Sequence, residues 1–146
     1  MKSRACFYIL PVCLLAAACG GNSTTAPSTT TTTTTTVAAA TTTETWTSTV
    51  QPGGFKFFSF TVAQNGTVNL TLTSVGGQFV PSTLQLTLGI GSPAGTDCTT
   101  TQTLNTGAGS TAQITLTEAP GVYCARVADI GNLFAAAAFT VNIDHP

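Results

Sequence analysis

Apolar and polar residues alternate in short segments along the C-terminal part of the chain. In the clearest segments Val, Leu, Ile and Phe take every second position, and Thr, Asn or Gln take most of the positions between them. These segments are residues 68–72, 84–90, 114–116 and 137–143. A repeat of two residues is typical of a β-strand with one buried face, whereas an amphipathic helix repeats every 3.6 residues. The pattern therefore predicts strands with one apolar and one hydroxyl-bearing face.

Two further strands are predicted near the start of this region. Their buried faces are expected to carry Trp46, Val50, Phe58, Phe60 and Val62. Because successive side chains point to opposite faces of a strand, Phe55 and Phe57 then lie on the other side of the second one. These two aromatic residues are candidates for contact with a sugar or a hydrophobic partner. The alternative is that they pack under a loop or at the edge of the second sheet.

Turn-forming residues separate the predicted strands, as at Pro52-Gly53-Gly54, Gly76-Gly77 and Gly131-Asn132. With one more segment around residues 102–104, the pattern predicts about seven or eight strands. A sheet with one apolar face has to bury that face, and no amphipathic helix pattern is present to cover it. We therefore predict an all-β fold, a single antiparallel β-sandwich, with a closed barrel as the alternative.

The first 43 residues have a different pattern. Lys2 and Arg4 precede an apolar stretch, residues 5–18, which is shorter than the roughly 20 residues needed to span a bilayer and is typical of a signal peptide. Residues 20–43 are uncharged and consist mostly of Thr, Ala, Ser and Gly, with an uninterrupted Thr run at 29–36. Such a composition cannot pack a core and predicts a disordered linker. The expected domains are a signal peptide at 1–18, a linker at 19–43 and a β-sandwich at 44–146.

The segment Leu14-Leu15-Ala16-Ala17-Ala18-Cys19-Gly20 resembles the lipobox of bacterial lipoproteins. The resemblance implies that the chain is cleaved before Cys19 and that lipid attached to Cys19 anchors it to a membrane. Leu15 lies one position further from the cysteine than the commonest lipobox leucine. The alternative is ordinary signal cleavage after Ala16-Ala17-Ala18, which would release a soluble protein with a free thiol. No acidic retention signal follows Cys19, so the resemblance implies the outer membrane or the cell surface as the location, the outer membrane if the cell is Gram-negative.

The number and positions of the five cysteines fit the lipoprotein hypothesis. Cys6 and Cys13 would leave with the signal peptide and Cys19 would carry lipid, so Cys98 and Cys124 remain as a pair. Export favours oxidation, and their spacing is not that of a redox CxxC motif. A disulfide between them would close a loop of about 27 residues, for which loop-closure entropy gives roughly 3.5 kcal/mol of stabilisation.

The segment Gly121-Val122-Tyr123-Cys124-Ala125-Arg126-Val127 resembles a strand of the bacterial pre-peptidase C-terminal domain family. Residues 57–62 and 66–72 look like the first core strands of that family, and residues 139–141 like its closing strand. The resemblance implies a jelly-roll-like β-sandwich that serves exported enzymes as an accessory or adhesion module. No enzyme is attached in this sequence, and residues 84–90 lack the acidic residues often found in the family, so calcium binding is not expected.

Charge excludes one class of partner. Only 6% of the residues are charged, and Lys56 and Arg126 are the basic residues that remain after removal of the signal peptide. Nucleic-acid binding requires several Lys or Arg side chains to neutralise phosphates. We therefore expect no nucleic-acid partner.

Candidate catalytic and metal-binding residues are also few. The single histidine, His145, lies near the end of the sequence in an expected frayed tail, so no catalytic triad is predicted. A zinc site would need three or four His, Cys or carboxylate ligands. The carboxylates that remain are scattered: Glu44, Asp97, Glu118, Asp129 and Asp144. Arg126 and Asp129 are expected to form a solvated ion pair. We predict no catalytic residues, metal or cofactor.

The leading hypothesis is an exported, lipid-anchored, non-catalytic adhesion or accessory-binding module of the cell envelope, with a polysaccharide or a protein as ligand. The first alternative is a purely structural envelope lipoprotein without a specific ligand. An uncharacterised hydrolase is the second alternative, and it would require a pocket that gathers at least two of the five acids.

Overall fold

The computed structural model describes residues 36–146. The predicted signal peptide, Cys19 and most of the predicted linker lie outside the described residues. Within them, eight strands form two four-stranded antiparallel sheets, which confirms the predicted all-β sandwich. The strands are β1 (Thr42–Val50), β2 (Phe55–Val62), β3 (Gly66–Gly76), β4 (Leu86–Ala94), β5 (Asp97–Thr106), β6 (Ile114–Glu118), β7 (Gly121–Ala128) and β8 (Ala137–His145). The segment predicted around 102–104 belongs to β5, and β1 begins two residues before the expected domain boundary.

The sheet order is that of a jelly roll. One sheet has the order β1-β8-β3-β6 and the other β2-β7-β4-β5. The chain behaves as one long hairpin that turns at β4–β5 and then rolls up, so that β3 pairs with β6, β2 with β7 and β1 with β8. In residues 36–146 no helix is long and apolar enough to cross a membrane.

This topology gives the sandwich two distinct ends. The distal end carries the loops at residues 51–54, 77–85, 107–113 and 129–136, because Val50 pairs with Ala137 and Phe55 with Ala128. The proximal end carries residues 36–41, the other three connections and the last two residues. Seven of the eight strands in residues 36–146 have eight to eleven residues. At about 3.3 Å per residue, the two ends therefore lie roughly 25–35 Å apart.

The core lies between the two apolar sheet faces. The residues that the alternation predicts to be buried do line it, including Trp46, Val50, Phe60, Val62, Leu70, Leu88, Phe139 and Val141. The Trp46 ring meets the edge of Phe139 with centroids 4.9 Å apart and stacks on the half-buried Phe58 at 5.9 Å. Fully buried side chains of this size each contribute about 1.5–3 kcal/mol to folding.

A disulfide links Cys98 on β5 to Cys124 on β7, as predicted, with Cα atoms 6.0 Å apart. Both residues are buried. In the sheet, β4 lies between these two strands. The bond therefore connects strands that share no ladder of hydrogen bonds.

The proximal end fixes the chain before it enters β1. The Ala38 N–H donates to the Asn65 carbonyl (3.0 Å), and the Thr67 N–H donates to the Ala38 carbonyl (3.0 Å). This close approach requires glycine at position 66, because a Cβ there would clash with the Ala38 carbonyl oxygen. The last residues of the predicted linker are thus held against β3.

The expectation that His145 lies in a frayed tail is wrong. His145 pairs with Thr42 at the end of β8 and is only 5% exposed. Its position on the inner face of the sheet places the ring 5.4 Å from that of Phe60, and Nε2 lies 3.0 Å from Glu44 Oε1. Continued strand pairing and an aromatic neighbour hold this residue in place.

Candidate functional site

Two phenylalanines at the distal end are almost completely exposed. Phe79 is 88% exposed in the loop at 77–85, and Phe134 is 100% exposed in the loop at 129–136. Both line a cleft of about 120 Å³, whose remaining walls are Val80, Pro81, Leu84, Asn132 and Leu133. Exposed aromatic rings beside an apolar cleft are typical of a binding surface rather than of a solvated loop. The sequence interpretation did not single out either phenylalanine.

The turn that carries Phe79 has an unusual backbone. Gly77 and Val80 form a bridge, and the Val80 N–H donates to the Gly77 carbonyl (3.3 Å). Phe79 then occupies the second central position of the turn with φ = +66°. Such a position normally holds Gly or Asn, because a side chain in the left-handed region costs roughly 1–2 kcal/mol. Local strain of this kind is concentrated at functional sites.

Asp129 fixes the second loop of the cleft. Its Oδ1 accepts hydrogen bonds from the N–H groups of Gly131 (2.9 Å), Asn132 (3.0 Å) and Leu133 (3.2 Å), and its Oδ2 accepts one from Gly53 (2.7 Å). Burial acts to raise the pKa of Asp129, but these hydrogen bonds outweigh it, and the pKa lies below its ordinary value of 3.8. One carboxylate therefore ties the loop at 129–136 to the turn at 51–54.

The predicted ion pair between Arg126 and Asp129 is wrong. Arg126 Nε lies 3.5 Å from Asp97 Oδ1 instead. The reason is geometric: Arg126 projects from the outward face of β7, whereas Asp129 lies beyond the end of that strand and turns back to the loop amides.

Asn132 contributes a polar atom to the cleft. Its Nδ2 donates to the Gln85 carbonyl (3.1 Å), which joins the two cleft loops. Its Oδ1 is buried and has no hydrogen-bond partner among the described residues. A buried acceptor without a partner costs about 1–3 kcal/mol.

The surroundings of the cleft are nearly free of charge. Among the four distal loops, Asp129 is the single charged residue, and its carboxylate is already engaged by backbone N–H groups. Ile130, at the same end, is 40% exposed. The two loops that line the cleft therefore offer mainly apolar contact, and Asp129 is the one charged side chain in them.

The aromatic residues predicted from the sequence lie elsewhere. Phe55 is 38% exposed on the outward face of β2, and the Arg126 guanidinium carbon lies 4.3 Å from the centre of its ring. Phe57 is half-buried on the same strand and lies opposite Arg126 in register. Neither residue lines the distal cleft. Arg126 already covers one face of the Phe55 ring by a cation–π contact.

The acids do not gather at one place. Glu44 contacts His145, Asp97 contacts Arg126, Asp129 binds loop amides and Asp144 accepts a hydrogen bond from Thr43. In the part of the chain that the structure describes, no group of three or more His, Cys, Asp or Glu side chains is arranged to hold a metal ion. The cleft itself is lined by apolar residues and one amide.

Tyr123, from the segment at 121–127, has a packing role. Its hydroxyl donates to the Ala119 carbonyl (2.9 Å), and its ring lies 6.1 Å from that of Phe60. Desolvation by burial and the neighbouring Glu118 raise the pKa of this hydroxyl. Tyr123 thus secures the β6–β7 connection at the proximal end.

Comparison with known proteins gives little further guidance. No family model matches the chain, and no curated protein matches it. Among solved structures, the chain is similar to the crystal structure of the Yersinia pseudotuberculosis-derived mitogen (YPM), with a TM-score of 0.49 and 12% sequence identity. The matched region covers 72% of this chain and 86% of that one.

Proposed function

We propose that the chain is an exported, lipid-anchored lipoprotein whose β-sandwich is a non-catalytic adhesion or accessory-binding module of the cell envelope. In this proposal Cys19 carries the lipid, residues 20–43 form the linker, and the distal cleft binds the partner. The lipobox-like segment before Cys19 and the uncharged linker composition support the anchor.

The observation that carries the binding function is the pair of exposed rings, Phe79 and Phe134, on loops of fixed shape. Burying an exposed apolar surface contributes about 25 cal/mol per Å², and a Phe side chain buries 150 Å² or more. Two such rings would contribute apolar contact area to an interface with a partner. Because Asp129 already holds one of the loops, a partner would not have to order that loop on binding.

The position of the cleft also fits an anchored module. The linker joins the sandwich at the proximal end, where Ala38 contacts β3, and the cleft lies at the distal end. A linker of about 24 residues reaches up to roughly 80 Å when extended. The binding surface is thereby turned away from the point of attachment and is accessible to a partner in the envelope.

A structural lipoprotein without a ligand is the alternative, and one observation favours it. On the outer face of the β1–β8 sheet, Thr45 Oγ1 donates to Asn142 Oδ1 (3.1 Å), and on the same sheet Thr115 Oγ1 donates to Asn69 Oδ1 (2.8 Å). These side chains satisfy one another and need no partner. Such a surface provides solubility without recognition.

The anchor is tested by the intact mass of the membrane-fraction protein, with and without Cys19→Ser. The proposal predicts an acylated species that begins at Cys19, partitions into detergent and disappears in the variant. A soluble, unacylated wild-type protein would contradict the anchor.

The binding function is tested with the mature Cys19→Ser chain, labelled and titrated onto envelopes prepared from its own host. The proposal predicts saturable binding to envelopes and no binding to protein-free vesicles of the host lipids. Binding that does not saturate would favour the structural alternative.

A further inference from the structure

We propose that β5 is an interaction surface for a second copy of this chain, with the two β5 strands pairing in antiparallel orientation around Leu104. This inference goes beyond the proposed binding function, because it concerns the edge of a sheet and not the distal cleft. It follows from the free edge of β5, from the side chains on that edge and from their symmetry.

The strand β5 lies at the edge of its sheet. Within residues 36–146 it pairs with β4 alone, in the sheet order β2-β7-β4-β5. In an antiparallel sheet, about half of the backbone N–H and C=O groups of an edge strand point away from its one neighbour. These groups match the donors and acceptors of another strand, so the surface fits a polypeptide in extended conformation.

The other three edge strands of the described residues are protected against such pairing. Each carries a charged side chain: Glu44 on β1, Lys56 on β2 and Glu118 on β6. Each charge shares the inner face of its strand with residues of the core, because side chains an even number of positions apart point to the same side. Inward-pointing charges oppose the addition of a strand, since the added strand would bury them.

The strand β5 lacks this protection. Residues 98–106 contain no charged residue, no Pro and no Gly, and Asp97 at the start of the strand contacts Arg126. On the inner face, Leu104 lies opposite the fully buried Leu88 but is itself 43% exposed. An added strand would cover Leu104. At this edge, pairing therefore removes apolar surface from water instead of burying a charge.

The symmetry of this edge selects a second copy of the chain as the partner. Thr101 is an extra residue without a partner on β4, and such a bulge bends the strand, so regular pairing is confined to residues 102–106. Leu104 is the central residue of this segment. A two-fold axis at Leu104 therefore pairs the segment with itself and packs the two Leu104 side chains against each other.

The same register repeats a side-chain pairing found within the molecule. It places Thr103 opposite Asn105 of the second copy, and both side chains lie on the outer face of the sheet. Hydrogen bonds from Thr to Asn already join neighbouring strands here: Thr87 to Asn105 (2.7 Å), Thr45 to Asn142 (3.1 Å) and Thr115 to Asn69 (2.8 Å). Because residues 102–106 are uncharged, no like charges oppose each other across the axis.

The inference is tested by sedimentation equilibrium on the mature chain with Cys19→Ser. Because only five residues of each copy pair, we expect a weak dimer whose fraction rises between about 10 µM and about 1 mM. Leu104→Lys places two like charges on the axis and is expected to weaken the dimer by a factor of about ten or more. Thr49→Lys adds the same charge at an exposed position of β1 and is expected to leave the dimer unchanged. Circular dichroism checks that both variants are folded.

The register is tested by cysteine cross-linking in the same chain, which does not depend on the lysine variant. Leu104→Cys places two thiols opposite each other, so a disulfide-linked dimer is expected on mild oxidation. Gln102→Cys is the matched control, exposed on the same face of β5. Its two copies would lie four residues apart along the strand, or about 13 Å, which exceeds the reach of a disulfide. Peptide mapping verifies that the bond between Cys98 and Cys124 is retained.

Three results would overturn the inference. The wild-type chain could remain monomeric at about 1 mM, and if it still bound envelopes saturably, the proposed binding function would stand without the pairing. Leu104→Lys could dimerise as tightly as Thr49→Lys, which would assign the dimer to another surface. Phe79→Ser combined with Phe134→Ser could abolish the dimer, which would assign it to the distal cleft.

Discussion

At the scale of single residues, the distal end depends on side chains that use backbone amides as partners. Asp129 accepts hydrogen bonds from four backbone N–H groups. Asn132 joins the two cleft loops by a hydrogen bond to the Gln85 carbonyl. Loops rich in Gly and Ala have little side-chain packing of their own, so these hydrogen bonds decide their shape. The shape of the cleft is therefore expected to depend in part on Asp129, which does not line it.

The first prediction concerns Asp129→Asn. This change removes the negative charge that strengthens the four hydrogen bonds from backbone N–H groups. The pKa of Asp129 in the folded state lies below 3.8, so its stabilising contribution is present above that pH and is lost as the pH falls through the folded-state pKa. We expect a lower Tm for the variant at pH 7 and faster hydrogen exchange at Gly131 and Leu133. The Tm difference is expected to shrink well below pH 3.8. An equal difference at pH 7 and pH 2 would contradict this account.

A second prediction compares two glycines of β3. A Cβ on Gly66 would clash with the Ala38 carbonyl, whereas one on Gly76 would meet nothing within 4 Å among residues 36–146. Gly66→Ala is expected to destabilise the fold by roughly 1–3 kcal/mol and to release residues 36–41 from β3. Gly76→Ala, the matched control, is expected to be neutral or slightly stabilising. Chemical unfolding measures both, and equal effects would show that the Ala38 contact is unimportant.

At the scale of secondary-structure elements, the alternation of residues specifies the strands but not the loops between them. Residues 68–72 and 137–143 form strands as predicted, because one face of each has to be buried. The turn near Gly76-Gly77 was also predicted. The exposure of Phe79 could not be predicted in the same way. A local pattern does not distinguish a loop residue whose ring packs inward from one whose ring points into solvent. A Phe in a turn position that favours Gly is the signal that was available.

The strain in that turn gives a third prediction. Both Phe79→Gly and Phe79→Ala remove the ring, but only glycine adopts φ = +66° without a steric cost. We expect the glycine variant to be about 1 kcal/mol more stable than the alanine variant. Equilibrium unfolding in urea measures the difference. If alanine is as stable as glycine, the turn is not strained at this position.

At the scale of the whole molecule, the rolled topology places residues 36–41 and the cleft at opposite ends of the sandwich. The sheet order depends on pairings between strands far apart in sequence, such as β1 with β8. These pairings are not encoded in any local pattern, and the jelly-roll arrangement was expected only from a resemblance. The Arg126 contact with Asp97 escaped the sequence interpretation for the same reason. The disulfide was predictable, because counting cysteines left one pair.

A fourth prediction concerns this disulfide, which closes a loop across β4. The double variant Cys98→Ala, Cys124→Ala is expected to lose about 3 kcal/mol of unfolding free energy, mainly because its unfolded chain is less constrained. The two loops that line the cleft, 77–85 and 129–136, lie outside the chain segment 98–124 that the bond closes. Envelope binding by the folded fraction is therefore expected to remain unchanged. A variant that stays as stable as the wild type would refute a stabilising role for the bond.

The proposed role of the distal cleft as the binding surface of an anchored module can be tested by mutating its two exposed rings. The measurement is the Kd for host envelopes of the mature Cys19→Ser chain carrying Phe79→Ser and Phe134→Ser, with Val122→Ser and Phe55→Ser as controls. We expect an at least tenfold weaker Kd for the double variant and unchanged values for both controls. Unchanged binding by the double variant, or an equal loss with Phe55→Ser, would contradict the claim.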